Sequence, residues 1–170
     1  MIDENRYAIR NREQLEIQAK EKLRLTQIDV QTAALKAYWT WFVKGQELRV
    51  FENILDLANK RARQISKRIR AGDLARIYEA ENNQYIRKRE AQLNQSQIDF
   101  QKASYYLSLF YRDKDGRPIV MSKESVPPMG KIELNPSMNQ NQVYTRALVE
   151  NIDLKILESQ REQAKLDVRL

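Results

Sequence analysis

A chain of 170 residues with 30 Lys and Arg against 23 Asp and Glu carries a formal net charge of +7, and it contains neither Cys nor His. A disulfide framework, a thiolate or imidazole zinc site and any nucleophile–histidine triad are therefore excluded. Four Gly and four Pro, where average usage gives about twenty in all, argue against a turn-rich β fold, and 31% charged residues point to long helices or coiled coil.

In chain order, the first residues are polar and mixed in charge, with no apolar h-region of a signal peptide. From about Asn5 to Arg112 only Gly45 and Gly72 interrupt a helical pattern. Gly45 sits between apolar runs and reads as a tolerated helical glycine that costs about 1 kcal/mol against Ala. The aromatic cluster Tyr38, Trp39, Trp41 and Phe42 is too closely spaced for one stripe, so some of its members face away from any seam. They are candidates for core packing or for a subunit interface, where Trp and Tyr are enriched.

Phe51, Leu55, Ala58, Ala62, Ile65 and Ile69 recur at alternating intervals of four and three, which is a heptad seam. Across it lies the sharpest local feature, the basic run Lys60, Arg61, Arg63, Lys67, Arg68 and Arg70, with no acid between Leu57 and Gly72. Gly72 supplies a left-handed C′ position, and Asp73 is expected to accept from the orphan N–H groups of the next helix. Leu93, Ser96, Phe100, Ala103, Leu107 and Phe110 form a second seam, and so short a link at Gly72 makes the two helices antiparallel.

Asp113-Lys114-Asp115-Gly116 ends the second arm as a turn; its glycine comes too early for a calcium loop. All four Pro (Pro118, Pro127, Pro128, Pro136) fall in the connector that follows. From Val143 onwards Leu148, Ile152, Ile156 and Leu157 are expected on one face of a third helix. The fold class is thus all-α: a long antiparallel, coiled-coil-like α-helical hairpin over 1–112 with its tip at 68–74, a loop-rich connector over 113–141, and a C-terminal helix over 142–170.

No charge-free hydrophobic stretch exceeds Ala103 to Tyr111, far short of the roughly 18 residues a spanning helix needs, and alternating barrel strands are absent. Carboxylate pairs such as Glu79/Glu81 and Asp113/Asp115 are expected by number alone, and no Gly-rich phosphate loop occurs. The chain is not expected to be an enzyme or to hold a cofactor or metal. The basic run suits an anionic partner. No aromatic residues interleave with it, as single-strand nucleic-acid binding would want, and no duplex-reading motif occurs.

Four stretches resemble the periplasmic helical region of the TolC-type outer-membrane efflux proteins. Ala37-Tyr38-Trp39-Thr40-Trp41 is similar to that family's aromatic stretch, and residues 68–77 resemble its glycine-bearing hairpin tip. Residues 107–111 leading into Asp115-Gly116-Arg117-Pro118 resemble the end of the returning helix and its equatorial loop. Asn151-Ile152-Asp153-Leu154 followed by Ala164-Lys165-Leu166-Asp167 resembles the opening of a second repeat.

The resemblance implies a homotrimeric tube at the outer membrane, with this chain in its periplasmic portion. That tube exports substrates together with an inner-membrane pump. It would meet a periplasmic adaptor through the tip residues Arg68, Ile69, Arg70, Ala71, Gly72, Asp73 and Leu74. The family's membrane strands are not in this sequence, which implies about one repeat of the helical region, a truncated product or fragment. Where the family commonly has an acid six residues beyond the tip glycine, this chain has Tyr78. The alternative expectation is a soluble basic coiled-coil module that binds an anionic partner such as nucleic acid through residues 60–70.

Overall fold

The computed structural model describes residues 2–130 and 139–167. Pro136 with the connector stretch 131–138, and residues 168–170 of the expected last helix, lie outside the described residues. The order is α1 (Ile2–Arg70), α2 (Ile77–Ser108), a 3₁₀ turn (Lys123–Ser125), α3 (Gln140–Glu150) and α4 (Ile152–Asp167). The fold is all-α and contains a long helical hairpin. Contacts divide the chain into two compact units, Ala34–Gly130 and Met1–Ala33 with Lys131–Leu170.

In the unit Ala34–Gly130, α1 and α2 pack along the two heptad seams. Ala58, Ser96, Phe100, Ala103 and Leu107 are buried, and Phe51, Leu55, Ala62, Ile65, Ile69, Leu93 and Phe110 are half-buried. Burial is deepest away from the tip, around Ala37, Trp41 and Leu48 of α1 and Phe100, Ala103 and Leu107 of α2, because there the connector residue Val126 adds a third wall. Trp41 is 1% exposed and lies over Phe100 with ring centroids 6.5 Å apart. Towards the tip two helices alone cannot enclose a seam, which is why its residues stay half-exposed. The buried serines Ser104 and Ser108 donate back to the carbonyls of Phe100 (3.0 Å) and Tyr105 (2.6 Å), so their hydroxyls enter the core satisfied.

Gly45 is not the tolerated helical glycine that its sequence context suggested. A Cβ there would stand 2.5 Å and 2.8 Å from the two methyls of Val126, so the missing side chain is the socket into which the connector plugs. Its neighbours on the same side of α1 fasten the strap. Arg49 Nη2 donates to Val126 O at 2.6 Å, Gln46 Nε2 donates to Pro127 O at 2.6 Å, and Lys123 pairs with Glu52 at 2.6 Å. The residue before a proline is held extended, and Val126 (φ −69°, ψ 119°) presents its carbonyl to that guanidinium. At the start of the strap Asp113 Oδ1 accepts from the backbone N–H of Asp115 (2.9 Å) and Arg117 (2.7 Å), shaping the expected turn with Gly116 at φ +78°.

In the unit of Met1–Ala33 with Lys131–Leu170, the expected single C-terminal helix is two. Asn151 (φ −64°, ψ 118°) breaks it, and its Oδ1 accepts from Leu154 N at 3.1 Å as an N-cap, so α3 and α4 are separate helices. The expected stripe breaks with it: Ile152 is buried and Ile156 half-buried, whereas Leu148 and Leu157 are exposed. The contact between α1 and α4 is mostly polar. Gln163 Nε2 donates to Asn11 Oδ1 (2.7 Å), Gln18 Nε2 to Gln163 Oε1 (3.1 Å) and Ser159 Oγ to Gln14 Oε1 (2.8 Å), and Tyr7 donates to Asp167. Tyr7, Asn11, Gln14, Gln18 and Glu21 keep the four–three spacing of a heptad seam, with amides where leucines would usually stand.

Candidate functional site

The hairpin tip is built by helix termination. Gly72 N–H donates to Ile69 O (3.1 Å) and Asp73 N–H to Arg68 O (2.9 Å), the paired bonds of a Schellman end, with Gly72 at φ +82°. The expected capping by Asp73 is corrected. α2 starts only at Ile77, its N-cap position is Arg76 in αR geometry without a side-chain cap, and Tyr78 and Glu79 donate to Ala75 O and Arg76 O. The link is therefore 71–76, and the N–H of Asp73 serves the helix behind it.

Of the expected tip residues, Arg68, Arg70, Ala71, Gly72 and Asp73 are exposed, while Ile69 and Leu74 are half-buried. Arg61 and Arg63 stand one residue before and after Ala62, and Arg68 and Arg70 one before and after Ile69. Each pair thus flanks the seam at roughly 100° to either side. Lys67 is exposed as well. The span 57–72 holds no acid, but Lys60 reaches one turn back to pair with Asp56 at 2.7 Å. No ion pair among the described residues involves Arg61, Arg63, Lys67, Arg68, Arg70 or Arg76. Arg76 falls within the tip stretch 68–77, but the basic run ends at Arg70 and leaves it out. Ile77 and Tyr78 are exposed beside it.

The four clustered aromatics divide as their spacing required. Trp41 is buried in the seam and Phe42 is half-buried against it, whereas Tyr38 and Trp39 are exposed. Trp39 makes edge contacts with Tyr38 and Phe42 at 5.5 Å and 5.7 Å. One turn on, Lys44 donates to Glu47 at 2.7 Å, and this bond, with a smaller contribution from the charge of Asp99, raises the lysine's pKa.

A further pattern went unnoticed in the sequence. Leu35, Trp39, Val50 and Leu57 are each about half or more exposed, and each lies two positions from a seam residue (Ala37, Trp41, Leu48, Leu55). Two positions are about 200° of helix, so these side chains form a second apolar stripe on the face of α1 opposite the seam. On α2 and at its C-cap, Ile98, Tyr105 and Leu109 stand in the same relation to Phe100, Ala103 and Leu107 and are 46%, 63% and 55% exposed. Beside the α1 stripe, Phe42, Val43, Val50, Phe51 and Met129 line a shallow groove of about 480 Å³.

No family model, curated protein or solved structure matches this chain. Among the described residues no helix is long and apolar enough to cross a membrane, and no group of three or more acids could hold a metal.

Proposed function

We propose that this chain is a wall segment of an outer-membrane efflux or secretion tube, with the hairpin tip as the end that docks a periplasmic adaptor. The observation that carries the reading is the double striping of the hairpin. A free two-helix hairpin needs one apolar face per helix, whereas a helix inside a wall has a neighbour on each side. α1 and α2 both carry a second apolar stripe opposite their shared seam, in the span where that seam is most deeply buried. Exposed apolar side chains gathered on one face of each helix are of the kind that marks interaction surfaces. A tip of two exposed helix ends on a tight glycine turn is suited to end-on docking.

Sedimentation velocity over a concentration series tests the wall. The expected result is self-association of the native chain and a monomer for the Leu35→Glu/Val50→Glu variant at unchanged helix content. A native chain that stays strictly monomeric at its highest soluble concentration would sink the reading.

A further inference from the structure

We infer that the hairpin tip is also a docking surface for an anionic lipid bilayer, engaged end-on. Between Arg61 and Glu79 the chain carries six cations, Arg61, Arg63, Lys67, Arg68, Arg70 and Arg76, against two carboxylates, Asp73 and Glu79. All six cations are exposed, and none is ion-paired among the described residues. Arg61, Arg63, Arg68 and Arg70 stand to either side of the seam, Lys67 lies opposite it, and Arg76 stands in the link. The charge thus surrounds the end of α1, and an approach along the helix axis brings cations from every side near one partner.

The end of the hairpin is small and convex. Two helices each about 10 Å across present an end of about 200 Å², against about 800 Å² per partner in a standard protein interface. An adaptor must therefore span the tips of several wall segments at once, whereas a flat, negatively charged headgroup layer needs only one. Each Lys or Arg brought to it strengthens binding about fivefold, within a Debye length of the surface. The apolar residues at this end are of the kind that enter a headgroup layer. Ile77 is 61% exposed and Tyr78 47%, with Ala71 and Ala75 exposed beside them. An amphipathic phenol at the water–lipid boundary is favourable, and long basic side chains spread outward while apolar neighbours enter. This reading does not depend on wall formation, since a monomeric chain would bind in the same way.

Flotation of the full chain with phosphatidylcholine vesicles, with and without phosphatidylglycerol, tests it. Binding is expected only to the anionic vesicles and should weaken as salt is added. The Arg68→Gln/Arg70→Gln/Arg76→Gln variant should bind about a hundredfold more weakly. The corresponding triple Arg→Lys variant should bind like the native chain. Neutralising Lys36, Lys102 and Lys114 to Gln should leave binding within a factor of about three, because these exposed residues stand at the opposite end of the hairpin, more than a Debye length from the tip. Far-UV circular dichroism confirms that each variant is helical. Equal binding to both vesicle types, no binding, equal loss in the control variant, or loss in the Arg→Lys variant would each overturn the assignment. So would retention of polyglutamate or of a polynucleotide by a chain that ignores the vesicles, which would give the tip to another acidic partner.

Discussion

Gly45→Ala separates two opposed effects of known size. In an exposed helix interior the change stabilises by about 1 kcal/mol. Here the new Cβ would lie 2.5 Å and 2.8 Å from the Val126 methyls and 3.2 Å from its Cβ, where carbon–carbon contacts prefer about 3.5–4.0 Å. Val126 must then retreat by about 1 Å or leave. Expelling a buried Val side chain costs about 1.5–3 kcal/mol, and the two nearby strap bonds, Arg49 to Val126 O and Gln46 to Pro127 O, add about 0.5–1.5 kcal/mol each if they go. A net loss of about 1–3 kcal/mol is expected. Val126→Ala alone removes two methyl groups at about 0.8 kcal/mol each. In that background the inserted Cβ meets only another Cβ, so Gly45→Ala should become neutral or stabilising. Urea denaturation of the native chain, both single variants and the double variant measures the coupling, expected at about 1–4 kcal/mol in favour of the double. A single Gly45→Ala variant more stable than the native chain would refute the socket.

Gly72→Ala meets no atom within 4 Å, so its cost is the left-handed backbone alone, about 1 kcal/mol or a fall in Tm of a few degrees; Gly72→Asn should cost less, and no difference between the two would disprove the Schellman account. Gln18→Ala strips Ser159 and Gln163 of a buried partner and should weaken the α1–α4 contact by about 1–3 kcal/mol, read as faster amide exchange confined to α4. The hydrogen bond from Tyr7 to the Asp167 carboxylate, the largest cause, raises the phenol's pKa in the folded chain. Its contribution is therefore fully present below the unfolded tyrosine pKa of about 10 and is lost as pH rises through the higher folded value. The native chain should exceed Tyr7→Phe in urea midpoint at neutral pH and lose that advantage in strong alkali; a constant difference would remove the bond from consideration.

The hairpin was legible in the sequence because heptad spacing is a local signal. Every residue of the two expected seams, from Phe51 to Ile69 and from Leu93 to Phe110, is buried or half-buried. Gly72 was legible too, since a glycine after a basic helix end has a local backbone reason. What escaped depends on distant partners or on a different chemistry. The role of Gly45 is written in Val126, 81 positions away, and no window around the glycine contains it. The seam from Tyr7 to Glu21 has the right period, but a search for apolar repeats passes over Asn and Gln. The break at Asn151 had a signal, an Asn with Asp153 two residues on, which the apolar stripe running from Leu148 to Leu157 overrode. The second stripe on α1 was hidden because Leu35 and Ala37, like Leu48 and Val50, stand on either side of a cation (Lys36, Arg49), and nothing local tells which of the two apolar residues faces the partner until burial separates them.

The chemistry of the two seams gives one uninterrupted helix two thermal characters. Residues 34–70 of α1 are held by apolar burial, whose unfolding raises the heat capacity and whose stabilisation fades on cooling. The stretch from Tyr7 to Gln18 is held largely through amide and hydroxyl pairs, and exposing polar surface lowers the heat capacity instead. The two portions therefore follow stability curves of different curvature, with maxima at different temperatures. Calorimetry of this chain should resolve two transitions, with the α4 contact melting at the lower temperature, before any of the Trp41 seam is exposed.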